Sequence, residues 1–364
     1  MGIVSAQSGY VRLCAMKIRL AWSWLVVALL TVSSIASADD WGPLQLLEAE
    51  VAPGEKANLS FVHQHSFIKD ALDVQVFVTR GVKPGPTLCL TAAIHGDELN
   101  GVEIARAMFE RSDPETMSGT LIAVPIVNVW GFRSGNRYLA DRRDLNRSFP
   151  GSADGTLADL VAHALFERVI RHCDALVDLH TGSADRTNIP QIRADLAIPA
   201  VVALAQRFDV GVVVAGAGPA GSLRAEANRI GVKAIIYEAG GPYRFEAAEI
   251  ERGIVGVTNV MEYLRMVSAS APTPDPQRFF KHTRWVRSPG GGIFLTDLTP
   301  GAKIRVGQKL GVVIDPMTNL RVDVVAPVAG TLVGMAYPQV VLPGLGLFHI
   351  AGIEPGAVEP AQDE

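Results

Sequence analysis

Apolar runs of strand length alternate with helical stretches from Val74 to about Met266. The strand candidates are residues 74–79, 87–94, 119–127, 175–179, 210–215 and 234–238. Most of them are continuous apolar runs, which is typical of strands that are covered on both faces. Helical periodicity fills the gaps, most clearly over residues 102–109 and from about residue 157 to residue 172. The pattern predicts an α/β fold, with an open mixed sheet that carries helices on both faces.

The chain divides into segments of different composition. Residues 39–73 have the pattern of an irregular, β-rich lead-in, and residues 74–267 hold the alternation of strands and helices. Residues 268–278 are rich in Pro, Ser and Thr, which favours a stiff polar linker. Beyond it, short Val, Ile and Leu runs are separated by Gly and Pro turns with almost no helical period. Residues 279–364 are therefore predicted to form a small all-β module.

The N-terminus carries the parts of a secretory signal. Basic residues at Arg12, Lys17 and Arg19 precede an apolar block over residues 20–35, and small residues follow up to Ala38. This order predicts a signal peptide over residues 1–38 with cleavage after Ala38, and Met16 is an alternative start. A membrane anchor is the rival interpretation, but four Ser and Thr residues interrupt the block and its apolar centre is short. The prediction is an exported, periplasmic protein with no stable membrane anchor.

Composition and charge exclude several classes of protein. The chain has 364 residues, of which 48% are hydrophobic and 19% charged, so it can build real cores and is not a disordered or collagen-like chain. Its net charge is -4, and without residues 1–38 it keeps 30 basic and 37 acidic residues, a net charge of -7. This balance gives no support to a nucleic-acid partner. Cys89 lies in a predicted buried strand and Cys173 just before another, so both are predicted to be inert buried thiols rather than a bridge.

Two strand ends carry a candidate metal site. His95 and Glu98 follow a predicted buried strand and are three residues apart, so both can reach one ion. His180 ends another predicted strand, and ligands of open α/β sheets bind in the crevice beyond the carboxyl ends of strands. Two His and one Glu are the ligand set of hydrolytic zinc rather than of a closed structural site. The sequence therefore predicts one zinc ion per chain.

A loop crowded with charged side chains lies between these two strand ends. Residues 137–151 contain four arginines together with Asp144 and Asn146. Dense charge of this kind is often only a solvated surface. Here it joins the two strands that carry the predicted ligands, and guanidinium and amide groups can bind a substrate carboxylate. The loop is therefore a candidate for substrate binding.

These motifs resemble the succinylglutamate desuccinylase and aspartoacylase family of the zinc carboxypeptidase superfamily, over roughly Val74 to Met266. The resemblance implies a zinc-carboxypeptidase-like sheet, with His95, Glu98 and His180 as the zinc ligands. The Asp-Leu-Asn-Arg signature implies that Asn146 and Arg147 hold the substrate carboxylate, with Arg143 as a further substrate-binding residue. It implies that Asp144 orients His95, as metal-bound imidazoles usually require. It also implies a barrel-like form for the C-terminal β module.

The resemblance also implies the two catalytic residues. Arg137, next to a Tyr before the signature, matches the arginine that stabilises the oxyanion. The spacing is two residues longer than in the named deacylases, so Arg142 and Arg143 are alternatives for that role. Glu238 matches the general base, and the apolar residues before it and the two glycines after it favour a position in the crevice.

Residues 216–221 offer a competing motif, because they follow a predicted strand and match the dinucleotide fingerprint G-x-G-x-x-G. The segment 222–229 is too polar for the buried helix that this fingerprint requires. The α/β region also ends about thirty residues after Glu238, which leaves no room for the rest of a cofactor domain. A flavin or dinucleotide protein is kept as an alternative, and a glycine-rich turn near the site rim is the preferred interpretation.

The predicted function is amide hydrolysis at a zinc centre, with Glu238 as general base and Arg137 stabilising the oxyanion. A small molecule that bears a carboxylate is the expected substrate, and an N-acyl amino acid fits. A carboxypeptidase that acts on short or cell-wall peptides is the first alternative. An inactive metal-binding protein is another, although it would be expected to have lost a ligand or the base.

Overall fold

The computed structural model describes residues 41–62, 73–268 and 277–352. The predicted signal peptide and most of the predicted linker lie outside these residues. Within the described part of the chain, no helix has both the length and the apolar character needed to cross a membrane.

The lead-in and the central region contain ten strands and six α-helices among the described residues. The strands are β1 Leu44–Leu46, β2 Ala49–Val51, β3 Glu55–Phe61, β4 Val74–Arg80, β5 Lys83–Ala92, β6 Ser118–Val124, β7 Ala175–His180, β8 Arg186–Ala194, β9 Val212–Ala215 and β10 Lys233–Gly240. The helices are α1 Asn100–Arg111, α2 Val129–Ser134, α3 Leu157–Arg168, α4 Pro199–Phe208, α5 Leu223–Arg229 and α6 Ala247–Tyr263. Short 3-10 turns follow at Leu145–Arg147 and Ile170–His172.

The C-terminal region is made of strands. They are β11 Arg278–Phe280, β12 Thr283–Arg287, β13 Gly292–Leu295, β14 Lys303–Ile304, β15 Lys309–Ile314, β16 Arg321–Val325, β17 Gly330–Ala336, β18 Gln339–Val341 and β19 Gly346–Ala351. Four of them form a separate sheet in the order β16-β15-β13-β18.

One mixed sheet of 13 strands dominates the described residues. Its parallel centre joins β6, β5, β7 and β10 in that order. On one side β6 continues antiparallel through β4 to β3, and on the other β10 continues antiparallel to β8. The C-terminal region extends the same sheet, because β17 pairs antiparallel with β8 and leads on to β19 and β12.

Helices cover both faces of this sheet. Helices α3 and α5 pack on the face to which Cys89, Leu176 and Ala234 point. Helices α1, α4 and α6 pack on the opposite face, against residues such as Leu90 and Tyr237. The predicted mixed sheet with helices on both faces and a β-rich C-terminal region is confirmed.

One central strand was not predicted. Strand β8 has the sequence RTNIPQIRA, with neither a continuous apolar run nor regular alternation, and it contains a proline. It is nevertheless a strand because β10 and β17 pair with it on both sides. Its partner strands, which also include β9, all lie 20 or more residues away in the chain, and a local pattern does not reveal them.

The prediction for the two cysteines was wrong. Cys89 and Cys173 form a disulfide, with their Cα atoms 5.8 Å apart, which is the usual range for a bridge. Cys89 lies opposite Leu176 on the neighbouring parallel strand, and Cys173 is in the chain that enters that strand. The parallel register therefore brings the two residues together across 84 positions of sequence.

Candidate functional site

The predicted metal ligands and Glu238 converge at the carboxyl ends of the parallel strands. Strand β7 ends at His180, which pairs in register with Glu238 on β10. His95 and Glu98 lie in the turn between β5 and α1. Gly96 in this turn packs against the backbone of Gly131 with no space for a side chain, which fixes the path of the turn.

His95, Glu98 and His180 form a compact group of potential metal ligands. Their ligand atoms all lie within 4.8 Å of one another, and the three residues are buried. Glu98 bridges the pair, since its Oε1 is 2.7 Å from His95 Nδ1 and its Oε2 is 2.7 Å from His180 Nδ1. The predicted ligands are thus brought together by the turn between β5 and α1 and by the end of β7.

Each imidazole is supported on its other nitrogen by a carboxylate. His95 Nε2 lies 3.2 Å from Asp144 Oδ1, as the resemblance implied, and His180 Nε2 lies 2.8 Å from Asp178 Oδ2. Thr91 donates its hydroxyl to Asp178 and so orients that carboxylate. Sequence reasoning missed Asp178, although it lies two residues before His180 and on the same strand face.

The donor set fits a zinc ion. Imidazole nitrogen and carboxylate oxygen are ligands that zinc takes in catalytic sites, and three protein ligands leave a position open for water or substrate. The two carboxylates behind the imidazoles match the support that metal-bound histidines usually have. His95, Glu98 and His180 would hold the ion.

The electrostatics of the group come from charges that are close and buried. Burial alone would raise the pKa of Glu98, but the charges of His95 and His180 hold it well below its usual range. Burial would lower the pKa of His180, and the charges of Asp178 and Glu98 raise it well above its usual range. Burial likewise opposes the low pKa of Asp144, which its hydrogen bond to His95 holds well below the usual range. The site therefore favours positive charge between these carboxylates.

A cavity of about 280 Å³ opens beside this group. Its polar lining is formed by His95, Glu98, Arg137, Asn146, Arg147, His180, Thr181, Ser183, Arg186, Asn188, Arg193, Ser222, Arg224 and Glu238. Gly182, Pro219, Ile236 and Trp285 complete it. Trp285 belongs to β12, so the C-terminal region supplies part of the wall.

Glu238 is almost completely buried at this cavity. Asn188 Nδ2 donates to its Oε2 at 2.7 Å, and Arg193 Nε is 3.3 Å from its Oε1. Both partners belong to β8, the strand that was not predicted. A buried carboxylate with one hydrogen-bond donor and one ion-pair partner is held in a defined orientation beside His180.

Some arginines of the loop 137–151 line the cavity and others do not. Arg137 Nη2 donates to Asp144 Oδ2 at 2.7 Å, and its Nη1 is 3.7 Å from Glu98 Oε1. Arg147 also lines the cavity, together with Asn146, whose amide oxygen accepts from the Leu223 backbone. This arrangement brings Arg137, Asn146 and Arg147 to the cavity.

Arg142 and Arg143 do not line the cavity. Both are exposed, and Arg143 pairs with Asp141 at 3.5 Å. Arg142 has a left-handed backbone with φ of 63°, in a turn that closes between Leu139 and Arg143 and directs these side chains outward. The geometry therefore does not support the predicted role of Arg143 in substrate binding, nor either residue as the oxyanion arginine.

Three further arginines reach the cavity without having been predicted. Arg186 and Arg193 belong to β8, and Arg224 lies in the first turn of α5. Burial and, to a smaller extent, the charge of Arg193 lower the pKa of Arg224 to about 10. The Nε of Arg224 has no hydrogen-bond partner among the described residues. The segment that carries Arg224 was judged too polar for a buried helix, and this arginine is one of the polar residues concerned.

The glycine-rich turn 216–221 lies against the loop of the signature. Gly221 has a left-handed φ of 75° and packs on the Arg147 backbone, and its carbonyl accepts from Phe149. Pro219 lines the cavity. The turn therefore lies at the site rim.

Comparison with known proteins identifies relatives of this chain. The family model described as the succinylglutamate desuccinylase/aspartoacylase catalytic domain matches residues 84–264. N-alpha-acetyl-L-2,4-diaminobutyric acid deacetylase of Halomonas elongata is 35% identical over 107 residues, or 29% of this chain. That alignment spans 31% of the relative's length.

Solved structures show the same fold. The product-bound ectoine utilization protein EutE (DoeB) from Ruegeria pomeroyi has a TM-score of 0.75 and 25% identity, over 82% of this chain and 95% of that chain. A succinylglutamate desuccinylase/aspartoacylase from Rhodobacter sphaeroides has a TM-score of 0.74 and 24% identity, over 81% and 94%. The family-model match across the catalytic sheet, together with this shared fold, shows that the chain belongs to the succinylglutamate desuccinylase/aspartoacylase family.

Proposed function

We propose that the protein is a zinc-dependent amidohydrolase that removes the acyl group from an N-acyl amino acid. The position of Glu238 carries this proposal. It pairs in register with His180 on the adjacent parallel strand and lines the same cavity as the three ligand residues. A buried carboxylate beside a two-His, one-Glu donor set suits general-base hydrolysis.

In the proposed reaction the amide C–N bond breaks and a C–O bond to water forms. A bound zinc ion would act as a Lewis acid at the carbonyl and lower the pKa of water. Glu238 takes a proton from the attacking water and delivers it to the leaving nitrogen, so that a carboxylate and a free amine result. Arg137, anchored by Asp144, stabilises the charge that develops on the carbonyl oxygen.

The lining of the cavity supports an anionic small molecule as substrate. The five arginines that line it are Arg137, Arg147, Arg186, Arg193 and Arg224, against the carboxylates of Glu98 and Glu238. Asn146 and Arg147 hold the substrate carboxylate. The surplus of guanidinium groups favours a second negative charge, as in an N-acylated acidic amino acid or an N-succinyl amino acid.

Two observations favour a deacylase over a carboxypeptidase. The cavity of about 280 Å³ suits an amino acid derivative better than a peptide. The relative from Halomonas elongata is named as a deacetylase of an N-acetylated amino acid.

We also propose that the protein is exported to the periplasm, as its N-terminal sequence predicts. The Cys89–Cys173 disulfide supports this, because such bridges persist in oxidising compartments. Protein recovered from the periplasmic fraction should begin at Asp39. Retention of the intact chain in the cytoplasm would contradict export.

Glu238→Gln tests the proposed activity. The variant keeps the shape of the side chain and removes the proton acceptor, so we expect zinc content near one ion per chain and hydrolysis slowed by about 10²–10⁴-fold. Metal analysis and assays on N-acetyl and N-succinyl amino acids, beside short peptides, measure both. The exposed Glu251→Gln is the matched control. A wild-type protein that binds no metal, or that releases only C-terminal residues from peptides, would refute the proposal.

A further inference from the structure

The carboxylate of Glu238 is held entirely from one neighbouring strand. Asn188 Nδ2 donates to Oε2, and Arg193 approaches Oε1, so the two oxygens have different partners. Both Asn188 and Glu238 are buried, at 8% and 9% exposure, which leaves little water to replace a lost donor. The orientation of this carboxylate therefore depends on the Asn188 amide.

Asn188 lies between glycines of the two neighbouring strands, and its amide occupies a slot beside Gly334. On one side it pairs with Gly240 of β10, and on the other with Gly334 of β17. A Cβ at position 334 would overlap the Asn188 Oδ1. Gly334 does not have a left-handed φ, so its backbone does not require glycine. The space for the Asn188 amide is what requires it.

We propose that Asn188 is a positioning residue for the general base Glu238, and that Gly334 of the C-terminal region keeps the slot in which the Asn188 amide lies. The inference rests on the proposed function, in which Glu238 moves the proton from water to the leaving nitrogen. A displacement of about 1 Å at a reacting group can cost on the order of 100-fold in rate. The C-terminal strand β17 thus takes part in catalysis without touching the substrate.

Asn188→Ala removes the donor to Glu238 and tests the first half of the proposal. We expect kcat on the N-acyl amino acid that the wild type hydrolyses fastest to fall by about 10–100-fold. KM should stay within about twofold and zinc content should be unchanged, because the substrate-holding arginines and the ligands are intact. Asn188→Ser, which keeps a short donor, should recover part of the lost kcat.

Gly334→Ala tests the second half. The new methyl group displaces the Asn188 amide, so the kcat of Gly334→Ala should fall as in Asn188→Ala. In the double variant the amide is already absent, so the two losses should not multiply. Gly290→Ala, in the same region with open space around its Cβ, is the matched control and should keep wild-type kcat.

The outcomes separate the inference from the proposed function. A wild type that hydrolyses no N-acyl amino acid overturns the proposed function and the inference with it. An active wild type with unchanged kcat in Asn188→Ala, or with losses that multiply in the double variant, overturns the inference alone. Circular dichroism reports folding, and if Gly334→Ala does not fold, the Ala and Ser variants of Asn188 decide the question.

Discussion

His349 is a buried residue whose protonation state links pH to folding. It lies in β19 and stacks on Trp285 with ring centroids 4.5 Å apart and planes 3° apart. Burial and, to a smaller extent, the charge of Arg193 lower the pKa of His349 to about 3. The Nδ1 of His349 has no hydrogen-bond partner among the described residues. The folded protein therefore holds this imidazole neutral over most of the acid range.

We expect His349 to reduce stability as the pH falls. Its pKa is about 6.5 in the unfolded chain and about 3 in the folded protein. Between these values the unfolded state binds more protons, so the free energy of unfolding falls by up to about 1.4 kcal/mol per pH unit. His349→Phe keeps the stack and should flatten this dependence, as measured by urea unfolding at several pH values between 7 and 4. Parallel curves for wild type and variant would contradict the prediction.

The roles of single residues could be predicted from the sequence where a motif lies at the end of a strand. His95, Glu98, His180 and Glu238 were predicted to share a crevice, and the structure places them around one cavity. Asp178 was missed although it lies two residues before His180. Its carboxylate is recognised as the hydrogen-bond partner of His180 only once the position of that imidazole is known.

At the scale of elements, the disulfide ties β5 to the segment that enters β7 and closes a loop of 84 residues. In the chain-entropy model such a bridge acts by restricting the unfolded state, and typical contributions are about 2–4 kcal/mol. Replacing Cys89 and Cys173 by Ala should lower the free energy of unfolding by about this amount.

Denaturant unfolding of the wild type with and without reductant, beside the double variant, measures the effect of the bridge. The free energy of unfolding of the reduced wild type should equal that of the double variant, apart from the packing that is lost when the two sulfur atoms are removed. Equal stability of the oxidised and reduced wild type would show that the bridge is not formed in solution.

The elements themselves were predictable to different degrees. Strands β4, β5, β6, β7 and β10 have continuous apolar segments, and these segments are buried in the structure. Strand β8 has no such pattern, since it carries cavity residues such as Asn188 and Arg193 and gains its strand conformation from neighbours. The three β8 residues Arg186, Asn188 and Arg193 were therefore missed together with their strand.

At the scale of the whole molecule, the charge of the protein opposes the charge of its cavity. Residues 39–364 carry a net charge of -7, whereas five arginines face two glutamates in the cavity. Charges within about 8 Å act on a bound anion at physiological ionic strength, while more distant ones are largely screened. Capture of an anionic substrate therefore depends on the local arginines.

Salt should weaken this capture. We expect KM for an N-acylated acidic amino acid to rise several-fold between about 0.05 and 0.5 M NaCl, with little change in kcat. Arg224→Gln removes one of the buried cations and should reduce the slope of KM against salt. A KM that falls as salt is added would show instead that the negative charge of the whole protein controls the encounter.

The pairing of β8 with β17 also sets an order on folding. Asn188 faces Gly334, which is made 146 residues later, a delay on the order of 10 s at ordinary rates of translation. Until then residues 186–188 of β8 present an unpaired edge beside the part that β9 pairs, the kind of surface at which strands of different molecules associate. Strand β17, which is synthesised long after β8, thus protects this edge of the sheet from aggregation. Variants that lack the chain from β17 onward should be recovered mainly as inclusion bodies.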